Sequence, residues 1–305
     1  MSKPTISVFN AEQTAELLGF PSLLDALAVA AGEYANGAIQ SPERQVLPLP
    51  QGGVMLSMPA TAHDIGIHKL VNVVPGNRVR HLPTINGIVS VYDGQTGRAL
   101  FVLDGPTVTA RRTAAVSMLG LKTFLPSAPE RVVLIGTGIQ SAGHVMALAA
   151  IFPGLHVVVV GSSREKALAF VDARRHMPLE MLAATAVPDD VDAVITLTTS
   201  ATPVYTRTAK AGMLVIGVGA FKPELAEIGA NTLRDSQIYV DDPAGARHEA
   251  GDLIQANVDW SGVQSLADAL AGGVRYEEPI VFKTVGCAAW DLASARCALR
   301  AIKPL

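Results

Sequence analysis

The segment RVVLIGTGIQS, residues 131–141, constrains the fold of this chain more than any other. Residues 131–135 form a short apolar run of the kind buried in parallel sheets. Gly136-Thr137-Gly138 follows at once and opens onto the helical pattern IQSAGHVMALAAI. Two glycines at such a junction permit a tight turn and let a pyrophosphate approach backbone N–H groups at the helix N-terminus. The third position of the fingerprint, usually glycine or alanine, is Ser141. Alone, a GxGxxS pattern is weak, because an ordinary strand-to-helix turn can carry it. Its surroundings strengthen it. HVVVVGSS (156–163), DAVITLTTS (192–200), GMLVIGVGA (212–220) and SQIYVDD (236–242) continue the short apolar runs, with helical segments between them. That alternation is the pattern of a dinucleotide-binding α/β domain. Gly136, Thr137, Gly138, Ile139 and Gln140 are therefore expected to hold a dinucleotide.

The end of the next strand discriminates between the nicotinamide dinucleotides. An acidic residue there accepts hydrogen bonds from a ribose 2′-hydroxyl and repels a 2′-phosphate. This chain has Gly161 at that place, followed by Ser162, Ser163 and Arg164. Two hydroxyls and a guanidinium suit a phosphate better. NADP(H) is the expected cofactor and NAD(H) the alternative. Thr198-Thr199-Ser200 closes its run and is expected near the switch point where ligands of such sheets bind.

The first third of the chain has a different texture. Asn10, with Gln13 three residues on, has the form of a capping box opening a first helix. A second helix is expected from Pro21, a good first-turn residue, to a stop at Gly37. Short β-rich runs follow: VMLSM (54–58), GIHKLVNVV (66–74), INGIVSVYD (85–93) and RALFVLD (98–104). The last two flank Gly94-Gln95-Thr96-Gly97, which reads as a hairpin loop. The pattern predicts an α+β domain with a meandering sheet. Residues 107–124 read as a connecting helix. The Ala-rich stretch 286–302 reads as a long helix that returns to the first domain. The predicted division is 1–118, with 288–305 packing back on it, and 119–287.

Composition sets the remaining bounds. With 305 residues, 49% of them hydrophobic and 17% charged, the chain can bury two cores, and disorder is excluded. A formal net charge of −3, without a run of Lys and Arg, argues against a nucleic-acid partner. The two cysteines, Cys287 and Cys297, lie too far apart on one helical stretch to bridge, which fits a reducing compartment. No apolar run has the length of a membrane helix or the form of a secretory signal, so a cytoplasmic location without membrane contact is expected. The histidines show no metal-binding spacing, and no metal is expected.

Lys69 and Arg112 point to the substrate. In GIHKLVNVV the two-residue period puts Lys69 on the face of Ile67, Val71 and Val73. If that face is buried, the lysine needs a charged partner, a ligand or a route to solvent; if the other face is buried, it is a surface lysine. Arg112 shares a helical seam with Val108, Ala115, Val116 and Leu119. A guanidinium there suits a carboxylate, whether of a ligand or of a structural salt bridge.

In order along the chain stand PERQ (42–45), GIHKLVNVVPGN (66–77), LPTINGIVSVYD (82–93), TARRTAA (109–115), GTGIQ (136–140), TTS (198–200) and FKTVG (282–286). The combination resembles the ornithine cyclodeaminase/mu-crystallin family nearly end to end. The resemblance implies a substrate-binding and dimerisation domain, a Rossmann domain, a homodimer and a small amino or imino acid substrate. By position it implies substrate contacts from Arg44, Lys69, Thr84 and Arg112, with Lys69 catalytic. It places Thr284, Val285 and Gly286 on the nicotinamide side of the cofactor.

One departure bears on the reaction. Cyclodeaminases of the family carry a Glu-Leu-Asp segment after the fifth Rossmann strand, its aspartate assigned to catalysis. Here the segment is Pro223-Glu224-Leu225-Ala226-Glu227-Ile228-Gly229. With Glu227 matched to the glutamate, Gly229 stands at the aspartate position and offers no base. The expected activity is therefore reduction of a small cyclic imino acid, such as pyrroline- or piperideine-2-carboxylate. Ornithine cyclodeamination and non-catalytic, NADPH-dependent ligand binding are the alternatives.

Overall fold

The computed structural model describes residues 6–302 and divides into two compact units: Met1–Arg112 with Cys287–Leu305, and Thr113–Gly286. The helix Gly105–Phe124 runs through the first division, which falls at Arg112 rather than at 118.

In the first unit Asn10 and Gln13 form the reciprocal capping box that opens the helix Ala11–Leu17. The next helix, Phe20–Ala35, has Pro21 in its first turn, and Gly37 beyond its end adopts φ +79°. Six strands make one sheet. Its order is Ser7–Val8, Ala99–Asp104, Ile85–Asp93, Ile65–Val73, Gly53–Thr61, Gln45–Leu49. Every pairing is antiparallel except that of Ser7–Val8, which lies parallel to Ala99–Asp104 at one edge. The two edge strands have no counterpart among the predicted runs. Ser7–Val8 is too short for any period, and Gln45–Leu49 is interrupted by Pro48 and mostly exposed.

One face of the sheet is the core face, carrying Met58, Ala60, Ile65, Ile67, Val71, Val89, Val91, Phe101 and Leu103. The helix Ala288–Ile302 packs on it and against Phe20–Ala35. That terminal helix is buried all round from Ala288 to Ala298. Its two buried charges, Asp291 and Arg296, must therefore find partners inside the protein. Arg296 grips Asp64 with a bidentate pair of bonds, Nε at 2.9 Å and Nη2 at 2.7 Å, and also pairs with Glu33.

The second unit is built on eight parallel strands. Their order is Gln264–Ser265, Gln237–Val240, Ile280–Lys283, Leu214–Gly217, Ala193–Thr196, Arg131–Ile135, His156–Val160, Glu180–Ala184. The winding reverses between Arg131–Ile135 and Ala193–Thr196, the switch point of a doubly wound sheet. The predicted strands of this unit all form. Three more join them, and Ile280–Lys283 matters most. It slots between Leu214–Gly217 and Gln237–Val240, so the FKTVG segment emerges among the strand ends.

Candidate active site

In the strand Ile65–Val73 burial alternates as the two-residue period requires, and Lys69 lies on the buried side with Ile65, Ile67 and Val71. The surface-lysine alternative falls. Lys69 Nζ donates to both oxygens of Asp291 at 3.1 Å each, and Asp291 is itself fully buried. Arg112, 6% exposed, brings Nε to 3.6 Å from Asp291 Oδ1, an ion-pair distance too long for a hydrogen bond. Among the described residues the Arg112 guanidinium has no hydrogen-bond partner. Two buried cations thus share one carboxylate. A buried guanidinium with an unused fork is costly unless an anion completes it.

Burial pulls the Lys69 ammonium down from 10.5 to about 8. Asp291 opposes that fall, and the charges of Arg112 and Arg44 add to it. Lys69 therefore stays charged at neutral pH and loses its proton as pH rises through about 8. Arg44 is half-buried and near enough to act electrostatically on this cluster. Thr84 takes no part in the hydrogen-bonded group; its carbonyl accepts from the Val74 N–H at 2.8 Å.

In the second unit the glycine loop is shaped for close approach. Gly136 has φ +126°, and a Cβ there would stand 2.8 Å from the Leu197 carbonyl oxygen. Only glycine fits without displacing backbone. Gly138 caps the helix Ile139–Ile151 through its backbone alone, so no side chain closes the helix N-terminus. Ile139 beside it is 70% exposed, and Thr137 is half-buried. The Gln140 carbonyl accepts from His144 Nδ1 at 2.8 Å, and His144 Nε2 accepts from the Ser117 hydroxyl at 2.9 Å. Burial holds this imidazole down to about 4, and it is neutral. Ser141, the off-pattern third position, is fully buried, its Oγ 3.3 Å from where a Gly136 Cβ would stand. A small residue is what this contact requires. The loop residues thus fit a dinucleotide pyrophosphate.

After the strand His156–Val160, a Cβ on Gly161 would lie 2.9 Å from the Ser163 carbonyl oxygen. Ser163 is spent on the protein itself. It caps the helix Arg164–Asp172 by accepting from the Lys166 N–H, and its hydroxyl bonds Glu165, holding that carboxyl below its ordinary range. Ser162 and Arg164 are exposed, and Lys166 Nζ donates to Ser162 Oγ at 3.1 Å. Lys166 joins this cationic turn although the sequence reading did not single it out. Its place one helical turn beyond Ser162 was the available signal.

Three buried carboxylates shape the loops at the strand ends. Glu227 accepts from Thr196 Oγ1 (3.0 Å), Thr198 N (2.5 Å), Thr198 Oγ1 (2.8 Å), Gly219 N (2.6 Å) and Ala220 N (3.1 Å). Asp241 accepts from Thr284 Oγ1 (2.8 Å), Val285 N (2.9 Å) and Gly286 N (2.9 Å), while Gly286 takes φ +74°. Asp252 accepts from the backbone N–H groups of Glu227 and Ile228, and its Oδ2 lies 2.7 Å from the fully buried Lys283 Nζ. The hydroxyls of Thr198 and Thr284 are therefore committed within the protein. Thr199 is exposed, and Ser200 Oγ donates to the Thr202 carbonyl at 2.6 Å.

The reading of the acidic segment needs correction. Gly229 is buried, begins the short helix Ala230–Leu233 and donates its N–H to the Tyr205 carbonyl; a Cβ there would press on Thr206 at 3.1 Å. Glu227, with its donors, is a structural acceptor rather than a spare base. Registered on the chain's own Glu224-Leu225 pair, the third position is Ala226, whose N–H donates to the Ser200 carbonyl at the strand ends. Either register lacks the aspartate.

A sequence model described as the ornithine cyclodeaminase/mu-crystallin family matches residues 7–302. The Delta(1)-pyrroline-2-carboxylate/Delta(1)-piperideine-2-carboxylate reductase of Azospirillum brasilense is 56% identical over 299 residues, covering 97% of this chain and 96% of its own. Delta(1)-pyrroline-2-carboxylate reductase 1 of Burkholderia multivorans is 57% identical over 297 residues, with the same two coverages, 97% and 96%. The solved structure of Thermococcus litoralis Delta(1)-pyrroline-2-carboxylate reductase, in complex with NADH and L-proline, aligns with a TM-score of 0.86 at 22% identity over 97% of each chain.

Proposed function

The chain belongs to the ornithine cyclodeaminase/mu-crystallin family, and we propose that it is an NADPH-dependent reductase of a cyclic imino acid such as Delta(1)-pyrroline-2-carboxylate. The observation that carries this reading is the Arg112 guanidinium, buried beside Lys69 with its fork unused. Lys69 and Arg112 bring two positive charges to one carboxylate, Asp291, leaving one for a monoanionic substrate. Arg112 takes the substrate carboxylate in bidentate fashion, with Arg44 adding charge nearby. The names of the two bacterial relatives support the same substrate class.

The cofactor, when bound, supplies hydride to the imine carbon. Gly136, Thr137, Gly138, Ile139 and Gln140 hold its pyrophosphate, and the loop clamped by Asp241 lines the nicotinamide side. The imine nitrogen takes up a proton as the carbon is reduced, and Lys69 is the buried acid of the first unit able to provide it. Reduction of a preformed imine needs no further base. Cyclodeamination requires ammonia loss and ring closure as well, and position 226 or 229 offers no carboxylate for them.

The NADP preference rests on the turn after His156–Val160, where Ser162, Arg164 and Lys166 present a hydroxyl and two cations and Gly161 replaces the acid. Adding Delta(1)-pyrroline-2-carboxylate to protein and NADPH should consume the reduced cofactor. NADPH should bind more tightly than NADH, and Arg164→Ala with Lys166→Ala should remove most of the gap. A charge-assisted hydrogen bond is worth about 1.5–3 kcal/mol, so the gap should exceed roughly tenfold. Equal affinities, unmoved by the substitutions, would sink the NADP assignment and leave the reductase assignment standing.

A further inference from the structure

Asp291 is the acid that Lys69 and Arg112 share, and it stands on the helix Ala288–Ile302, 222 residues from its partner Lys69. It does not face the cluster from a flexible rim. The residues on either side of it, Trp290 and Leu292, are fully buried, and Trp290 is fixed edge-on against Tyr34 with ring centroids 6.2 Å apart. The carboxylate lies symmetrically on the Lys69 ammonium, 3.1 Å to each oxygen, and turns Oδ1 to Arg112 Nε at 3.6 Å. Contact through Nε occupies the inner edge of the guanidinium and leaves its two terminal nitrogens for another anion.

We propose that Asp291 is a positioning residue of the imine reductase: it keeps Lys69 charged in its buried place and sets the Arg112 fork toward the substrate carboxylate. The inference rests on the reductase reading. The groups facing Lys69 are few. Asp291 comes from the terminal helix, Arg112 from Gly105–Phe124 and Arg44 from the segment before Gln45–Leu49. The cross-strand neighbours Met58 and Val89 are apolar. Of the three charged groups only Asp291 favours the protonated lysine; the two arginines oppose it. Taking away this one negative charge must therefore make Lys69 a stronger acid.

The test compares wild type with Asp291→Asn, and uses two readouts over pH. One is binding of pyrrole-2-carboxylate, a planar carboxylate that cannot accept hydride, measured by calorimetry. The other is kcat/KM for Delta(1)-pyrroline-2-carboxylate with NADPH. Wild type should lose affinity and activity as pH rises through about 8, where Lys69 gives up its proton. In Asp291→Asn that limb should move down by at least about one pH unit, a tenfold change in the lysine's acidity. The substrate's own titration is common to both proteins and cancels. Asp291→Glu should restore the limb in part, and retained NADPH binding with a single cooperative melting transition guards against simple misfolding. A limb that stays in place in a folded Asp291→Asn protein would overturn the positioning role while leaving the reductase reading intact. Wild-type protein that neither reduces the imine nor binds pyrrole-2-carboxylate would overturn both.

Discussion

Arg112→Lys is expected to lower kcat/KM for a cyclic imino acid by about a hundredfold, with dinucleotide binding and folding largely preserved. Lysine keeps the charge but presents a point donor on a flexible stem, so at least one arm of the carboxylate fork is lost. A hydrogen bond to a charged group is worth about 1.5–3 kcal/mol, and each 1.4 kcal/mol is roughly a factor of ten. Folding should survive because Asp291 keeps its bonds from Lys69, at 3.1 Å to each oxygen. Cofactor binding should survive because the glycine loop and the Ser162–Lys166 turn belong to the second unit. The opposite pattern, unchanged kinetics with a lowered melting temperature, would mean that Arg112 serves a structural salt bridge.

The largest stability effect is expected at Asp252. Its carboxylate accepts from the backbone of Glu227 and Ile228 and faces the Lys283 ammonium at 2.7 Å, with neither side chain exposed. Asp252→Ala leaves a buried ammonium without its counter-charge and two backbone donors without an acceptor. Breaking a buried pair on one side costs about 3–5 kcal/mol. At roughly 2–4 °C per kcal/mol for a unit of this size, the melting temperature should fall by roughly 6–20 °C. Asp252→Leu combined with Lys283→Met should recover part of that loss, since it removes both charges. It should not recover all of it, because Glu227 and Ile228 still lack their acceptor. If Asp252→Ala melts with wild type, the pair contributes nothing to the strand ends.

The charged cluster of Lys69, Arg112 and Asp291 marks what the sequence could and could not disclose. Lys69 and Arg112 were legible because each breaks an apolar pattern, at a period of two in the strand and at helical spacing in the helix. Their partner Asp291 was not, since nothing in local pattern links positions 222 residues apart. Its signal lay in the terminal helix, where an acid between Trp290 and Leu292 had to be paired if the helix was buried all round. The glycine loop was legible from its strand-to-helix context. The strand Ile280–Lys283 was hidden by its four-residue length and by the lysine that ends it, although every residue in it is buried. Asp241 was hidden for another reason: it closes an apolar run, and only the insertion of Ile280–Lys283 beside that run brings Thr284, Val285 and Gly286 to its oxygens. The acidic segment was misregistered because Glu224 and Glu227 both look like loop carboxylates in one dimension. In three dimensions one is exposed and the other is buried under five donors.

The reductase assignment turns on whether the protein acts on a preformed imine or makes one from a diamino acid. The direct measurement is a side-by-side assay of one preparation: proline formed from Delta(1)-pyrroline-2-carboxylate with NADPH, and ammonia released from ornithine with NAD or NADP. With alanine at position 226 and glycine at position 229, proline should form rapidly from the imine, and ammonia release should stay at background. Ammonia release from ornithine at a rate matching imine reduction would contradict the assignment and make cyclodeamination the reaction of this site.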